Sequence, residues 1–430
     1  MANRRCRRAP RHPPPHSVVG NKREHPLVTT GSLSSLRVID ATQMLAGPMA
    51  GTRLGDLGAD VVKVEAPGTG EFNRTHGFGD KQSNGEMTTF LAMNRNKRSL
   101  ALNLKADSGR EVLLKLAAES DVFIQNFRRG TATRLGIGYD DLKAVNPGII
   151  YCSITGYGNE GPHKDRPGQD LIIQGYSGSM FSVGKIGDPP LASALWAADV
   201  MTGYQAAIGI LAALEHRHQT GQGQHIEVDM LSVVLDCQLQ EIVTYLNADF
   251  VPERTREDSA HGAMPAPYGS YKTKDGWLNI AMSPLPALGE VINNDWLKTL
   301  VNYDDGHRLR DEIYAEIREV FTEKTTAEWI ELCDLHGVWA GPVYDFPALA
   351  QDPHIRDQGY FVDQPQRIGT SAKTVRPPLK MSETPPSIRR GAPGLGEHSA
   401  EILTSLGYDD TTINTLIEEG AIAIGKDSTT

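Results

Sequence analysis

From residue 36 onward the chain alternates short apolar runs with stretches of helical period. Residues 36–41 form a short apolar run, 48–57 carry apolar positions at helical spacing, and 59–65 (Ala-Asp-Val-Val-Lys-Val-Glu) read as a β-branched strand. The same alternation predicts a strand at 99–104, a helix at 107–118, a strand at 121–127, a helical stretch at 139–145 and a strand at 149–155. A parallel strand pair needs a crossover that carries the chain back along the sheet, and a helix supplies it, so the pattern predicts an α/β fold with helices over a parallel sheet. Residues 199–216 are rich in Ala, Ile and Leu and run toward Gly221, a residue suited to a left-handed cap, which predicts a long and largely buried helix.

After a strand at 225–228 and a helix at 230–246 the character changes. Residues 268–283 read as two strands around Lys274-Asp275-Gly276, a hairpin turn sequence, with helices following at 308–321 and 326–336. Gly341-Pro342 marks a crossing linker, and 342–422 is rich in Pro and Gly, as expected of an extended return. The expected organisation is a disordered basic tail over 1–35, the first part of a Rossmann-like large domain over 36–224, a smaller α+β domain over 225–340, and a return linker with the C-terminal part of the large domain over 341–430.

Composition narrows the function classes. With 39% hydrophobic and 22% charged residues over 430 positions, the chain is globular and not disordered as a whole. Lys and Arg number 43 against 53 Asp and Glu, a net charge of −10, so the basic excess that holds a phosphate backbone is missing and nucleic acid is not the expected partner. Cys6, Cys152, Cys237 and Cys333 stand far apart with no Cys-x-x-Cys pair, which argues against a disulfide framework or a thiolate zinc site and points to a reducing, cytoplasmic setting. The arginine-rich tail has no acid before Glu24, which also allows a mitochondrial presequence, although Pro10 and the run Pro13 to Pro15 oppose the helix such presequences form. The most apolar long stretch, 191–214, is interrupted by Asp199, Thr202, Gly203 and Gln205, so no membrane span is expected.

Several familiar motifs are incomplete. Gly47-Pro48-Met49-Ala50-Gly51 follows the first strand but lacks the Gly-x-Gly spacing that brings backbone to a pyrophosphate, Gly175-Tyr176-Ser177-Gly178 falls short of a nucleophile elbow at Ser179, and no phosphate-loop motif is present. His216 and His218 lie two apart near a helix end and suit the helix dipole better than a metal. The basic run Asn94-Arg95-Asn96-Lys97-Arg98, with Lys105, Asn126-Phe127-Arg128-Arg129 and Arg134, falls near strand ends, where α/β sheets bind ligands; a phosphorylated, adenine-bearing ligand and a solvated charge run are both consistent with it. Asp199, at the start of the long helix, has a bland use as an N-cap and a chemical one as a carboxylate that attacks a thioester. Asp170, in Arg166-Pro167-Gly168-Gln169-Asp170, carries the same ambiguity.

Taken together, Val38-Ile39-Asp40, Leu45-Ala46-Gly47-Pro48, Leu57 through Glu65, Asn94 through Ser99, Asn126-Phe127-Arg128, Tyr151 through Gly158, Arg166 through Asp170, Ile208 through Leu214, Gly341-Pro342-Val343 and Leu395-Gly396-Glu397-His398 resemble the family III CoA-transferases, in order, from about residue 36 to 424. The resemblance implies a Rossmann-like large domain with a small domain, an interlocked homodimer, and CoA thioesters as substrates with no tightly bound cofactor or metal. It implies Asp199 as nucleophile, passing through an aspartyl mixed anhydride and an enzyme–CoA thioester, and Asp170 as an acid that helps shape the acyl site. CoA contacts carried over by position fall on Leu45, Ala46, Leu102, Lys105, Asn126, Phe127, Arg128 and Arg134. The formyl-CoA transferase group has a glutamine where Leu45 stands and a run of four glycines absent from 260–267, which argues against an oxalate or formyl substrate; polar residues around Ser259 to Tyr268 and their basic neighbours suit a dicarboxylate such as succinate, so succinyl-CoA is the first expected donor. The same fold hosts α-methylacyl-CoA racemases, but their Gly-His-Asp appears here as Gly168-Gln169-Asp170. The third alternative is a non-catalytic CoA-binding protein.

Overall fold

The computed structural model describes residues 31–248, 250–257, 259–369 and 371–425. Most of the basic tail, and with it Cys6, lies outside the described residues. Residues 31–35, expected as the end of a disordered tail, form a turn instead, because Leu33 donates its N–H to Leu57 O (3.0 Å) and packs on the large core.

The strands in chain order are β1 (Arg37–Ala41), β2 (Asp60–Glu65), a short hairpin of β3 (Gln82–Ser83) and β4 (Glu86–Met87), β5 (Lys97–Leu102), β6 (Val122–Gln125), β7 (Ile150–Thr155), β8 (His225–Asp229), β9 (Gly269–Lys272), β10 (Trp277–Ile280), β11 (Ala340–Pro342), β12 (Phe361–Pro365), β13 (Ser371–Val375) and β14 (Ile422–Ala423). The helices that matter for the site are α1 (Ala46–Asp56), α2 (Thr88–Asn94), α3 (Asp107–Ala118), α4 (Thr131–Arg134), α5 (Tyr139–Val145), α6 (Asp170–Tyr176), α7 (Ala197–Thr220), α8 (Met230–Cys237) and α9 (Leu239–Ala248). Seven strands make the main sheet, in the order β14-β5-β2-β1-β6-β7-β8, all parallel except β14.

Alternating residues of the central strands build two cores, one on each face. Ile39, Leu100, Phe123 and Tyr151 face Val112, Leu113 and Leu116 of α3 and, from the far end of the chain, Ile402 and Leu416. Val38, Val61, Ile124 and Cys152 face Ala50 and Leu54 of α1 and Ala206 and Ile210 of α7. A separate core around Tyr271, Leu278, Ile313, Phe321 and Trp329 lies under the antiparallel β11-β10-β9 sheet.

Three expectations shift. β8, expected at the head of the small domain, is the edge strand of the main sheet, because it pairs along its length with β7. Residues 340–342, expected as linker, pair with β10. β5 begins at Lys97 and not at 99, which carries the basic run to the amino-terminal end of that strand. Among the described residues, α7 is long and apolar enough to cross a membrane, although Asp199, Thr202, Gly203 and Gln205 interrupt its apolar run. Its Ala198, Thr202, Ala206, Ile210 and Ala213 are nevertheless buried inside the fold.

Helix α7 lies so close to α1 that a Cβ on Gly203 would stand 2.7 Å from Ala46 O and 2.8 Å from Met49 Cβ. Only a glycine permits that approach, which sets the spacing between the two helix starts. Gly203→Val should therefore lower stability by about 1–3 kcal/mol, the range for overpacking a tight contact, read as the shift of a urea unfolding curve.

Candidate active site

The carboxyl ends of β1 and β6 define the site. The chain leaves β1 toward β2 and β5 on one side, and β6, β7 and β8 lie on the other, so β1 and β6 flank the point where strand order reverses, the place where α/β sheets open a crevice. Asn126, just past β6, holds the loop after β1 across that crevice: its Oδ1 accepts from Gln43 N (2.9 Å) and its Nδ2 donates to Gln43 O (2.8 Å). The loop then turns through Met44, in the left-handed region at φ 68°, into α1, so that the Ala46 N–H opens the helix.

Asp199 meets that helix start. It is the third residue of α7 and not its cap; the cap position belongs to Trp196, left-handed at φ 50°, with no side-chain cap. The Asp199 N–H, one of the amides that a helix leaves without an internal partner, donates to Asp170 Oδ1 at 3.1 Å. The Asp199 carboxylate faces the Ala46 backbone N–H, which favours its charged form. Burial pushes its pKa up to about 6, the neighbouring Asp170 charge pushes in the same direction, and the Ala46 N–H opposes both.

Asp170 is 2% exposed and opens α6. Its other oxygen accepts from Gln174 Nε2, while Gln174 Oε1 accepts from Ser193 N (2.8 Å) in the segment leading into α7. Gly156 and Gly168 pack backbone against backbone, where a Cβ on either would lie within 2.5 Å of the other's Cα, so the end of β7 fixes where α6 begins. Asp170 therefore caps the α7 helix from a second element and ties it to α6.

The remaining expected residues spread along the same edge. Ala46 is buried and Leu45 half-buried beside Asp199; Phe127 is half-buried against the core, with its N–H on Gln125 Oε1 (2.7 Å). Arg128 and Arg134 are exposed, Arg134 reaching Thr131 Oγ1 at 2.9 Å within α4. Leu102 is buried at the end of β5, and Lys105 is exposed in the loop that follows. The structure thus brings Leu45, Ala46, Asp170 and Asp199 together at one point, with Asn126 bracing their loop and Phe127 beside it. The four remaining positions lie outward along the carboxyl edge.

The basic run 94–98 is not a phosphate site. Arg95 pairs with Asp56 (2.7 Å), Lys97 with Asp40 (2.7 Å), and Arg98 donates to Asp60 (2.9 Å), all at the amino-terminal side of β5. Sequence reasoning missed the buried network to which Lys97 belongs. Lys63 donates to Thr42 O (3.0 Å) and pairs with Glu71 (3.2 Å), while Lys97 also donates to Pro48 O and Asn94 Oδ1, both at 2.9 Å. The available signal was the lysine inside Val61-Val62-Lys63-Val64: parallel strands are covered on both faces, so a charge there must find a buried partner. Among the described residues no group of three His, Cys, Asp or Glu could hold a metal ion.

A half-buried carboxylate facing a helix start at the reversal point of a parallel sheet stands where α/β folds bind their ligands. Residues 33–399 match the family model described as CoA-transferase family III, and the chain belongs to that family. Human succinyl-CoA:glutarate CoA-transferase is 34% identical over 400 residues, covering 91% of this chain and 90% of that one. The succinyl-CoA:mesaconate CoA-transferase of Haloarcula marismortui is 36% identical, covering 89% and 98%. The crystal structure of a CaiB/BaiF family protein from Brucella suis superposes with a TM-score of 0.78 at 32% identity, covering 87% of this chain and 99% of that one. The chain is a CoA-transferase, moving CoA between an acyl-CoA and a carboxylic acid.

Two outcomes follow from the carboxylate pair. In Asp170→Asn the Asp199 pKa should fall below about 6 but stay above 3.8, since burial is the larger cause and remains; a carboxyl-carbon NMR titration reads this. A folded pKa above the unfolded one means that folding takes up a proton between 3.8 and about 6, so Asp199 costs stability above that window and nothing below it. Asp199→Asn should therefore be more stable than wild type at neutral pH, with the advantage shrinking as pH falls through the window in urea titrations.

Proposed function

We propose that Asp199 is the nucleophile of the transfer; the observation that carries this is its carboxylate, half-buried at the crevice and facing the Ala46 N–H. An Asp199 oxygen attacks the donor thioester carbon, the C–S bond breaks, and CoA leaves as thiolate, giving an aspartyl–acyl anhydride. The thiolate attacks the aspartyl carbonyl, releasing the donor acid and leaving an Asp199–CoA thioester. The acceptor carboxylate attacks that thioester to form a second anhydride and thiolate, and thiolate attack on the new acyl carbon regenerates Asp199. Each attack places negative charge on a former carbonyl oxygen, and the N-terminal amides of α1 are the nearest donors to stabilise it.

Asp170 acts on Asp199 by fixing the helix that carries it. CoA lies along the carboxyl edge: Leu45, Ala46, Asn126 and Phe127 line the thiol end, while Arg128, Arg134, Leu102 and Lys105 meet the nucleotide, where exposed guanidiniums suit phosphate oxygens. The relatives named for succinyl-CoA, together with Leu45, support a dicarboxylic acyl donor such as succinyl-CoA.

The active form is a homodimer. Leu239, Val243 and Leu246 form a stripe on α9, a helix with no buried residue, and Met201, Ile208 and Leu211 are exposed on α7. Such apolar stripes on two helices call for a partner, and a second copy of the chain is the occupant the family resemblance implies. Light scattering on a sizing column should give twice the chain mass.

Incubation in D₂O with a panel of acyl-CoA donors and mixed carboxylic acids, read by mass spectrometry, tests the assignment. The expected result is a new thioester that forms with wild type and is lost in Asp199→Ala, with kcat/KM rising through about pH 6 as Asp199 ionises. Full turnover by Asp199→Ala, or deuterium at the α-carbon with no new thioester, would overturn it. Arg134→Ala should raise the KM for acyl-CoA about tenfold with kcat little changed, the loss of one charge-assisted contact.

A further inference from the structure

Where the return segment crosses the amino-terminal half of β5, it borders an open cavity of about 220 Å³, lined by Gln366, Arg367, Arg389, Arg390, Glu397 and His398 among others. This is the opposite end of the strand from Leu102 and Lys105, and it lies apart from the crevice described above.

The cationic side chains here differ in how well they are matched. Arg389 is fully occupied at the end of α1, donating to Gly55 O (2.7 Å), Gly58 O (2.9 Å) and Ala59 O (3.2 Å). Arg390 has no carboxylate within ion-pair distance among the described residues; its Nη1 lies 3.0 Å from His398 Nε2. Arg367 Nε makes a long ion pair to Glu86 Oε1 (3.6 Å) without a hydrogen bond, and Glu86 Oε2 beside it also lacks a hydrogen-bond partner.

His398 faces two donors. Its Nδ1 lies 3.3 Å from the Ser99 N–H and its Nε2 3.0 Å from the Arg390 guanidinium. A neutral imidazole offers one acceptor nitrogen and one N–H, and a protonated one offers no acceptor, so the ring cannot satisfy both neighbours. Burial holds the ring in its neutral form. With Nδ1 accepting from Ser99, the Nε2 proton points at a guanidinium that also only donates. Glu397 does not resolve this: its Oε1 is 3.9 Å from Nε2 and its Oε2 already accepts from Gly394 N (2.6 Å). Around Arg390 and His398 donors therefore outnumber acceptors, with Glu397 the one carboxylate on the cavity lining.

We propose that this cavity binds a small oxyanion, a phosphate or a carboxylate, which accepts from Arg390 and from the His398 Nε2–H, with Arg367 also on its lining. A guanidinium fork matches two oxygens of such an ion, and the second N–H completes a three-point site. Binding cross-links Arg367, beside the β12–β13 hairpin, to the segment that runs on through His398, whose own N–H already holds Ser99 O (3.1 Å) on β5. The ion is thus an effector that fastens the return segment to the main sheet.

Calorimetric titration of the full-length protein with inorganic phosphate, and separately with succinate, tests this. One saturable site per chain is expected for at least one of the two ions, retained in saturating CoA, together with a rise in melting temperature of about 2 °C or more. The ion that binds more tightly identifies the natural class. Arg390→Gln and His398→Gln should each weaken binding about tenfold, the loss of one charge-assisted or buried hydrogen bond, with kcat unchanged. Absence of a saturable site for both ions overturns the proposal, as does displacement of the ion by CoA, which would place it in the CoA crevice. Binding that survives Arg390→Gln at full strength does so as well, because succinate held at the acyl site would behave that way. If either variant does not fold, the phosphate titration of wild type in saturating CoA decides, because succinate held at the acyl site would not be displaced by CoA.

Discussion

Two lysine ammoniums buried without solvent under the loop after β1 hold the whole site in place. Lys97 and Lys63 are both 0% exposed, and charges removed from water are costly unless every hydrogen is matched. Lys97 meets this with three hydrogen bonds, to Asp40, Pro48 O and Asn94, and Lys63 with one hydrogen bond to Thr42 O and an ion pair to Glu71. The two carbonyls bracket residues 42–48, the segment that carries Leu45 and Ala46. Burial and the nearby Lys63 charge pull Lys97 down to about 8. Burial alone would raise Asp40, but the two ammoniums outweigh it and hold that carboxyl below its usual range. At neutral pH both members of the pair are charged, and the loop is clamped at each end by a group that cannot let go without leaving an uncompensated buried charge.

Asp199 works against the usual logic of a helix start. A carboxylate in the first turn of a helix is ordinarily stabilised by the amides there. In this chain the Asp199 N–H already belongs to Asp170, so one carboxylate takes up the helix end while the other is left beside it in a dry crevice. The result is a carboxylate that ionises near pH 6 and is more basic than a solvated one, hence a better nucleophile, while still charged under neutral conditions. The arrangement lowers stability at neutral pH, which is the direction expected where a site is tuned for reaction and not for folding.

Much of the large domain was legible because it is local. The helices at 107–118 and 139–145 match the expected spans residue for residue, and β1, β2 and β7 begin within a residue of expectation, since each is written in a period of apolar positions. The misread parts depend on partners far along the chain. The run 94–98 looks the same in sequence whether it faces solvent or Asp40, Asp56 and Asp60, and no periodicity distinguishes the two. The β12–β13 hairpin escaped because its strands are short, mix polar with apolar positions and bury only Gln364; part of what seats it is Arg95, whose guanidinium donates to Val375 O (2.7 Å) from 280 residues away. Asp199 and Asp170 were legible as residues, but their relation, side chain of one to backbone of the other, belongs to the tertiary fold alone.

That dependence on distant partners has a consequence for how the chain is built. The large domain is not finished at the point where its last parallel strand, β8, is made. Its core still lacks Ile402, Leu403, Ile413 and Leu416, and its β5 edge remains open until β14 pairs with it. The Arg389 guanidinium then holds the carbonyls at the end of α1, the helix whose other end faces Asp199. The small domain is therefore an insertion between two parts of one core, and the segment returning from it closes the sheet that carries the reaction site. Folding must bring residues near 40, 100 and 400 together before that site exists, so neither the first 224 residues nor the small domain can be expected to show a weakened version of the activity by itself.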